Sequence, residues 1–226
     1  MRVLVVAPHA DDETLGAGGV MARYAAEGHD VIVAVMTGHG EKGPHPLFAR
    51  EAWTVVREEA RRAYSILGVK DVLFYELPAV QVSEQPLWEV NRAAFDAVQK
   101  AHPHVLYVPF LYDLHRDHRE IFHAFSVAWR PTTEEGRAIR KIYAYEVQSE
   151  THWNAPHLEP GFTPNTWVDI SAYLDRKIEA LKCFESQMRP APAARSIEAI
   201  RALAVWRGSQ MEMAAAEAFV AIRLSC

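Results

Sequence analysis

The stretch Arg2-Val3-Leu4-Val5-Val6-Ala7-Pro8-His9-Ala10-Asp11-Asp12-Glu13-Thr14-Leu15-Gly16 decides how this chain folds. Val3–Ala7 is a continuous apolar run of strand length, the pattern of a strand covered on both faces. Pro8 ends it, and a polar turn follows before a helical pattern begins. Buried strand, short polar turn and helix are the opening unit of a parallel α/β sheet.

The same unit recurs outward from this stretch. Val31–Thr37, Val72–Tyr75 and Val105–Phe110 read as further buried strands. Helices are expected at Thr14–Glu27, Ala49–Leu67, Leu87–Ala101 and His118–Trp129. Gly28 and Gly68 supply C-terminal stops for two of them, and Pro103 forces a third. Beyond Pro131 the expectations are a strand over Ile139–Val147 and a loop over Glu150–Pro164. A helix over Ser171–Met188 capped by Ser171 comes next, then a Pro-rich break at Arg189–Ala194. A helix over Ser196–Met211 and a closing segment at Ala218–Leu224 follow. The predicted fold is α/β: three layers, Rossmann-like, with a mostly parallel sheet and a C-terminal elaboration. It is read as one domain over residues 1–226.

Composition narrows the function. The chain is 50% hydrophobic and 23% charged with a net charge of −5, which suits a folded domain but not a partner of nucleic acid or anionic membranes. No apolar run reaches the length of a membrane span. Cys183 and Cys226 form no paired-cysteine motif, which fits a reducing cytoplasm.

Chemistry concentrates where strands end. In parallel sheets, ligands bind beyond the carboxyl ends of the strands. After the first strand that rim holds His9, Asp11, Asp12 and Glu13; after the fourth it holds Asp113, His115, Asp117 and His118. An acidic helix start explains Asp12 and Glu13 through the helix dipole, but gives no reason for His9. Crowded carboxylates need a cation or proton, and an imidazole beside a carboxylate is a first-row metal ligand pair. Two histidines and one carboxylate leave a coordination position for water, as a catalytic zinc requires. Asp113 and Asp117 are placed to orient the histidine rings.

The pair Pro8-His9-Ala10-Asp11-Asp12-Glu13 and His115-Arg116-Asp117-His118 resembles the signatures of the PIG-L/LmbE family of zinc-dependent N-acetyl-sugar deacetylases. Ala10 and Arg116 stand where that family usually has proline. The likeness extends to Thr14–Gly19, Arg57–Ala63, Leu67–Val69, Pro164–Ser171 and Arg207–Phe219. It implies that His9, Asp12 and His118 hold zinc, or Fe2+ or another divalent metal. It implies Asp11 as general base, His115 on the oxyanion side and Arg57 as a substrate contact. A protonated His115, kept charged by Asp117 or Asp113, follows as the expected mechanism. The substrate implied is a small N-acetyl sugar or conjugate, with a non-sugar amide as the alternative, and a homo-oligomer is compatible with it.

Trp153, with His152 and Asn154, is a candidate sugar contact; His39 and Glu41 are further candidates. Trp88, Trp129 and Trp206 are expected to pack, and His29, His102, His104 and His123 to be structural or solvated. Three rivals fit less well. Gly16-Ala17-Gly18-Gly19 lacks the third glycine of a dinucleotide fingerprint. A phosphoacceptor module needs an Asp at the end of its third strand, where Tyr75-Glu76-Leu77 stands. A facial-triad iron oxygenase shares ligand types but not the α/β pattern.

Overall fold

The computed structural model describes residues 1–40 and 45–225. Glu41 and Cys226 lie outside the described residues. In chain order the elements are β1 (Arg2–Ala7), α1 (Asp12–Ala26), β2 (Asp30–Gly38), α2 (Arg50–Leu67), β3 (Asp71–Pro78) and α3 (Leu87–Ala101). Then come β4 (Val105–Pro109), α4 (Arg116–Ala128), α5 (Glu134–Ala138), β5 (Lys141–Tyr145) and α6 (Gln148–Thr151). The chain finishes with β6 (Thr166–Asp169), α7 (Leu174–Lys182), α8 (Ile197–Ser209) and β7 (Ala216–Leu224).

One sheet of seven strands runs in the order β3-β2-β1-β4-β5-β7-β6. The first five are parallel, while β7 pairs antiparallel with both β5 and β6. Side chains alternate across the sheet, so each strand feeds two cores. Val3, Val5 and Ala7 join Val33, Tyr107 and Phe219 beneath α1, α2, α7 and α8. Leu4 and Val6 join Ala34, Leu106 and Ile142 beneath α3 and α4. This is the three-layer α/β fold expected from the alternating pattern.

The sheet places the site. From β1 the chain winds outward through β2 and β3, then returns to lay β4 on the other side of β1. The loops leaving β1 and β4 therefore diverge over a crevice, the switch point where such sheets bind ligands.

The glycines of α1 serve close packing. A Cβ on Gly16 would meet the Tyr145 ring, and the Glu146 carbonyl oxygen at 2.9 Å. The ring cannot yield easily, because its hydroxyl donates to the Val6 carbonyl at 2.7 Å. Gly16→Ala gains about 1 kcal/mol of helix propensity but overpacks a full core, at about 1–3 kcal/mol. We expect a net loss of stability; an unchanged or higher urea midpoint would contradict this packing account.

Close by, α1 is broken at Ala17 (φ −140°, ψ 15°). The carboxylate of Glu217 accepts from Gly19 N at 2.8 Å and Val20 N at 2.7 Å. Lys177 Nζ donates to the Leu15 carbonyl and pairs with Glu217, each at 2.7 Å. A buried ion pair thus satisfies the backbone groups that the break releases.

Several boundaries differ from the sequence reading, each for a local reason. Ser171 does not cap a helix; its hydroxyl and its backbone N–H both donate to Asp169 Oδ1, and α7 starts at Leu174. Ser196 does cap α8, accepting from Ala199 N at 3.2 Å. The strand expected to reach Val147 ends at Tyr145, the single turn α6 runs into the start of the loop expected over Glu150–Pro164, and the closing segment is the strand β7. Trp129 is buried, but Trp88 and Trp206 are 60% and 52% exposed and do not belong to the core. Each instead lies under an arginine, Arg92 and Arg207 respectively.

Candidate metal centre and active-site crevice

Between β1 and α1 the chain makes one tight polar turn. Thr37 of β2 donates to the Pro8 carbonyl through both its backbone N–H, at 3.2 Å, and its hydroxyl, at 2.7 Å. His9 N donates to Asp12 Oδ2 at 2.8 Å, and Asp12 N returns to the His9 carbonyl at 3.3 Å. These bonds shape the turn although Ala10 is not a proline. Glu13 accepts from Asp11 N and from the Thr14 hydroxyl, so it supports the loop. Asp11 sits at φ 142°, a conformation rare for an L-residue that costs on the order of 1–3 kcal/mol.

From the other side come the loop after β4 and the first turn of α4. His115 occupies the N-cap position, and its Nδ1 accepts from Asp117 N at 3.1 Å. His118, within the first turn of the helix, is fully buried. Its Nδ1 bonds Asp113 Oδ2 at 2.8 Å; a carboxylate only accepts, so Nδ1 carries the hydrogen. Asp113 is itself fixed by the Thr151 hydroxyl of α6 at 2.6 Å. The free edge of the imidazole, Nε2, therefore faces Asp12.

His9, Asp12 and His118 offer ligand atoms that all lie within 4.8 Å of one another. His118 Nε2 stands 3.1 Å from Asp12 Oδ2, and His9 Nδ1 stands 3.2 Å from the same oxygen. Asp12 Oδ1 and His118 Nε2 are buried with no hydrogen-bond partner, so the short approach between the residues is not aligned as a hydrogen bond. Buried acceptors left unpaired are costly and rare. Both belong to residues of the three-ligand group, where a cation would satisfy them. A second grouping, His9 with His115 and Asp117, also meets the distance condition. Asp117 is already committed there: it accepts from Val80 N at 2.6 Å, from Val82 N and from His9 Nε2 at 2.9 Å. The first grouping fits a divalent metal better.

The carboxylates make this cluster strongly negative and draw protons to the same imidazoles whose lone pairs would bind a cation. Burial resists charge on every member, yet positive and negative groups hold one another ionised. Burial works against protonated His9, but hydrogen bonds to Asp117 and Asp12 push its pKa up to about 9. His118 is likewise raised, with Asp12 and Asp113 outweighing burial. Asp12 is held well below the usual carboxylate range, as His118 and His9 overcome its burial. Asp11 behaves differently: burial lifts it to about 8, although Arg195 pulls the other way. His115 is pushed down to about 4 by burial and by the charge on His9.

Beside these groups lies a cavity of about 210 Å³. His9, Asp11, His115, Glu150, Gln187 and Arg195 form its polar side. Phe48, Ala52, Trp53, Val56, Ala79 and Val80 supply apolar lining. A larger hollow of about 430 Å³, next to β3 and α3, takes in His39 but none of the three ligand candidates.

Of the residues singled out from sequence, His9, Asp11, Asp12, His115, Asp117 and His118 come together here. Asp117 orients His9 rather than His115, from which its carboxylate is 3.9 Å. Arg57 and Trp153 do not line the cavity. Arg57 pairs with Glu76 at 2.6 Å, donates to the Tyr75 carbonyl and stacks on Phe74. Trp153 is 63% exposed. Its neighbours are spent on structure: His152 bonds Glu146, and Asn154 bonds the Tyr112 carbonyl.

Arg195, Glu150 and Trp53 also line the cavity and carry no motif that marks them in the sequence. An arginine closing a Pro-rich break, just before the capping Ser196, is the one local signal that pointed to Arg195.

Known proteins resemble this chain in sequence and in fold. The chain is 27% identical to diacetylchitobiose deacetylase of Thermococcus kodakarensis over 199 residues, covering 82% of this chain and 70% of that one. The crystal structure of the conserved protein TT1542 from Thermus thermophilus matches with a TM-score of 0.76 at 26% identity, covering 97% of this chain and 94% of that one. The 4-carboxy-2-hydroxymuconate hydratase GalB of Pseudomonas putida KT2440 shares the fold, with a TM-score of 0.77 at 22% identity over 100% of this chain and 98% of that one. The family model for GlcNAc-PI de-N-acetylase matches residues 4–129, which span β1 to α4 and carry both histidine-acid segments. With more than half its length matched, and with both segments meeting at one point, the chain belongs to the PIG-L family.

Proposed function

We propose that this chain is a zinc-dependent deacetylase that removes the acetyl group from an N-acetylglucosamine-type sugar or conjugate, giving acetate and a free amine. The observation that carries the reading is the pair of unpartnered buried acceptors, Asp12 Oδ1 and His118 Nε2, beside the ionisable Asp11. Since GalB shares the fold while its name denotes a hydratase, fold alone does not choose the reaction; the site must.

His9, Asp12 and His118 would hold the metal. When bound, it supplies a water acidified to a pKa of about 7 and polarises the amide carbonyl. Asp11 lines the cavity, and in its ionised form, which Arg195 favours, it takes the proton of the attacking water. Protonated, it then donates to the departing amine, so one carboxylate serves as base and acid. His115 faces the same cavity. A protonated His115 is the sequence expectation; burial pushes its pKa down to about 4, and we take the ring as neutral. Its Nδ1 accepts from Asp117 N, so Nε2 carries the hydrogen and can donate it to the developing oxyanion. Asp117 fixes His9, and Asp113 fixes His118.

Trp53 and Phe48 offer aromatic surface for the apolar face of a sugar ring, while Glu150 and Gln187 offer hydrogen-bonding groups to its hydroxyls. Arg57 and Trp153 are assigned no substrate contact. Among the described residues no helix is long and apolar enough to cross a membrane. We place the protein in the cytoplasm as one domain, acting on a small soluble substrate.

Metal-loaded protein incubated with N-acetylglucosamine and its conjugates should release acetate and primary amine in equal amounts. Hydration of an unsaturated acid without any amide cleavage would move the assignment to the hydratase branch. Asp113→Asn should weaken metal affinity by about 10–100-fold, since it frees the His118 ring. Chelator competition measures this; an unchanged affinity would remove Asp113 from the metal's support.

A further inference from the structure

We propose that Arg195 is the positioning residue for Asp11, fixing the carboxylate in the place where it can act on the water. The inference rests on the deacetylase reading of the site.

Asp11 is in an awkward position. It adjoins Asp12, its backbone φ is 142°, and its side chain is buried. Left to itself, a carboxylate so close to another turns toward solvent and away from the metal-binding group. Arg195 prevents this from far along the sequence. Its Nη1 donates to Asp11 Oδ2 at 2.8 Å, and its Nε donates to Ser149 Oγ at 2.9 Å. Its Nη2 stands 3.5 Å from Glu150 Oε1 and 4.0 Å from Asp12 Oδ1. The guanidinium is therefore held along more than one edge, and the planar fork transmits a fixed direction to Asp11. Arg195 thus fixes Asp11 through one oxygen, Oδ2.

The platform behind Arg195 is also anchored. Its carbonyl accepts from Arg189 N at 3.1 Å, and the next residue, Ser196, caps α8. Upstream, Ser186 donates through N at 2.9 Å and through its hydroxyl at 2.6 Å to Glu59 of α2. A segment tied at both ends carries one long side chain into the crevice. Simple charge balance would need only a cation nearby; the two directed bonds to Ser149 and Asp11 specify an orientation.

The test starts from wild-type acetate release, then compares Arg195→Ala and Arg195→Lys for kcat, KM, metal content and response to added guanidinium at millimolar concentration. Misplacing a reacting group by an ångström costs on the order of 10²-fold, so kcat of Arg195→Ala should fall by about that much with KM and metal content little changed. Guanidinium should restore part of the Arg195→Ala rate and leave wild type unaffected. Arg195→Lys keeps the charge but should recover little rate. An unchanged kcat in Arg195→Ala overturns the inference while leaving the deacetylase reading intact. So does a loss of rate that tracks metal loss or unfolding and does not respond to guanidinium, or full activity in Arg195→Lys. No acetate release by wild type overturns both.

Discussion

His118→Ala should lose its bound metal and its acetate release together. Disturbing a residue that merely supports a ligand costs about 10–100-fold in affinity or activity, so removing the ligand itself should cost more, on the order of 10³-fold. The side chain is fully buried between Asp113 and Asp12. Its removal strands two buried carboxylates, a change that costs about 3–5 kcal/mol in comparable cases. Loss of stability could then mimic loss of metal. His118→Asn separates the two effects, since an amide can still donate to a carboxylate while offering a poorer ligand. Equilibrium dialysis with metal analysis is the measurement. Metal retained at wild-type affinity by a folded His118→Asn protein would remove His118 from the ligand set.

Asp11→Asn should do the opposite. General acid–base catalysis contributes about 10²–10⁴-fold, so kcat should fall in that range while metal stays bound. KM should move less, because the lost interaction belongs to proton transfer rather than to substrate binding. Asp11 and Asp12 are adjacent carboxylates with opposite electrostatics. Asp12 is held ionised by His118 and His9, as a ligand must be, whereas burial lifts Asp11 to about 8, suited to exchanging a proton near neutrality. If Asp11→Asn lost its metal, or if Asp12→Asn kept it, the two roles would have to be exchanged.

Much of this was legible in the sequence, because it is encoded locally. The apolar run Val3–Ala7 and its polar turn form a pattern that needs no distant partner to interpret. The helix boundaries at Gly28 and Gly68 are set by backbone conformation: both residues adopt positive φ, 78° and 80°. The metal-binding group was legible because the parallel sheet brings the ends of β1 and β4 to one rim. What escaped notice depends on long-range placement. Arg195 meets Asp11 only after α7 and α8 have packed. Trp53, at the start of α2, reads as one more apolar residue on a helix until the cavity exists. Ser171 looked like a cap because nothing local shows that Asp169 captures it. Arg57 matched a motif position, but Glu76 on the neighbouring strand takes its charge. The lowered pKa of His115 also needs three dimensions, since it follows from burial and from the ring of His9 4.5 Å away.

The most direct measurement is a titration of metal-stripped protein with Zn2+ while acetate release from an N-acetylglucosamine conjugate is followed. The account predicts no turnover without metal and full turnover at one equivalent, matching one site built by His9, Asp12 and His118. Acetate release that persists in the stripped protein, or a tightly bound equivalent of zinc that never produces acetate from any acetamide, would contradict it.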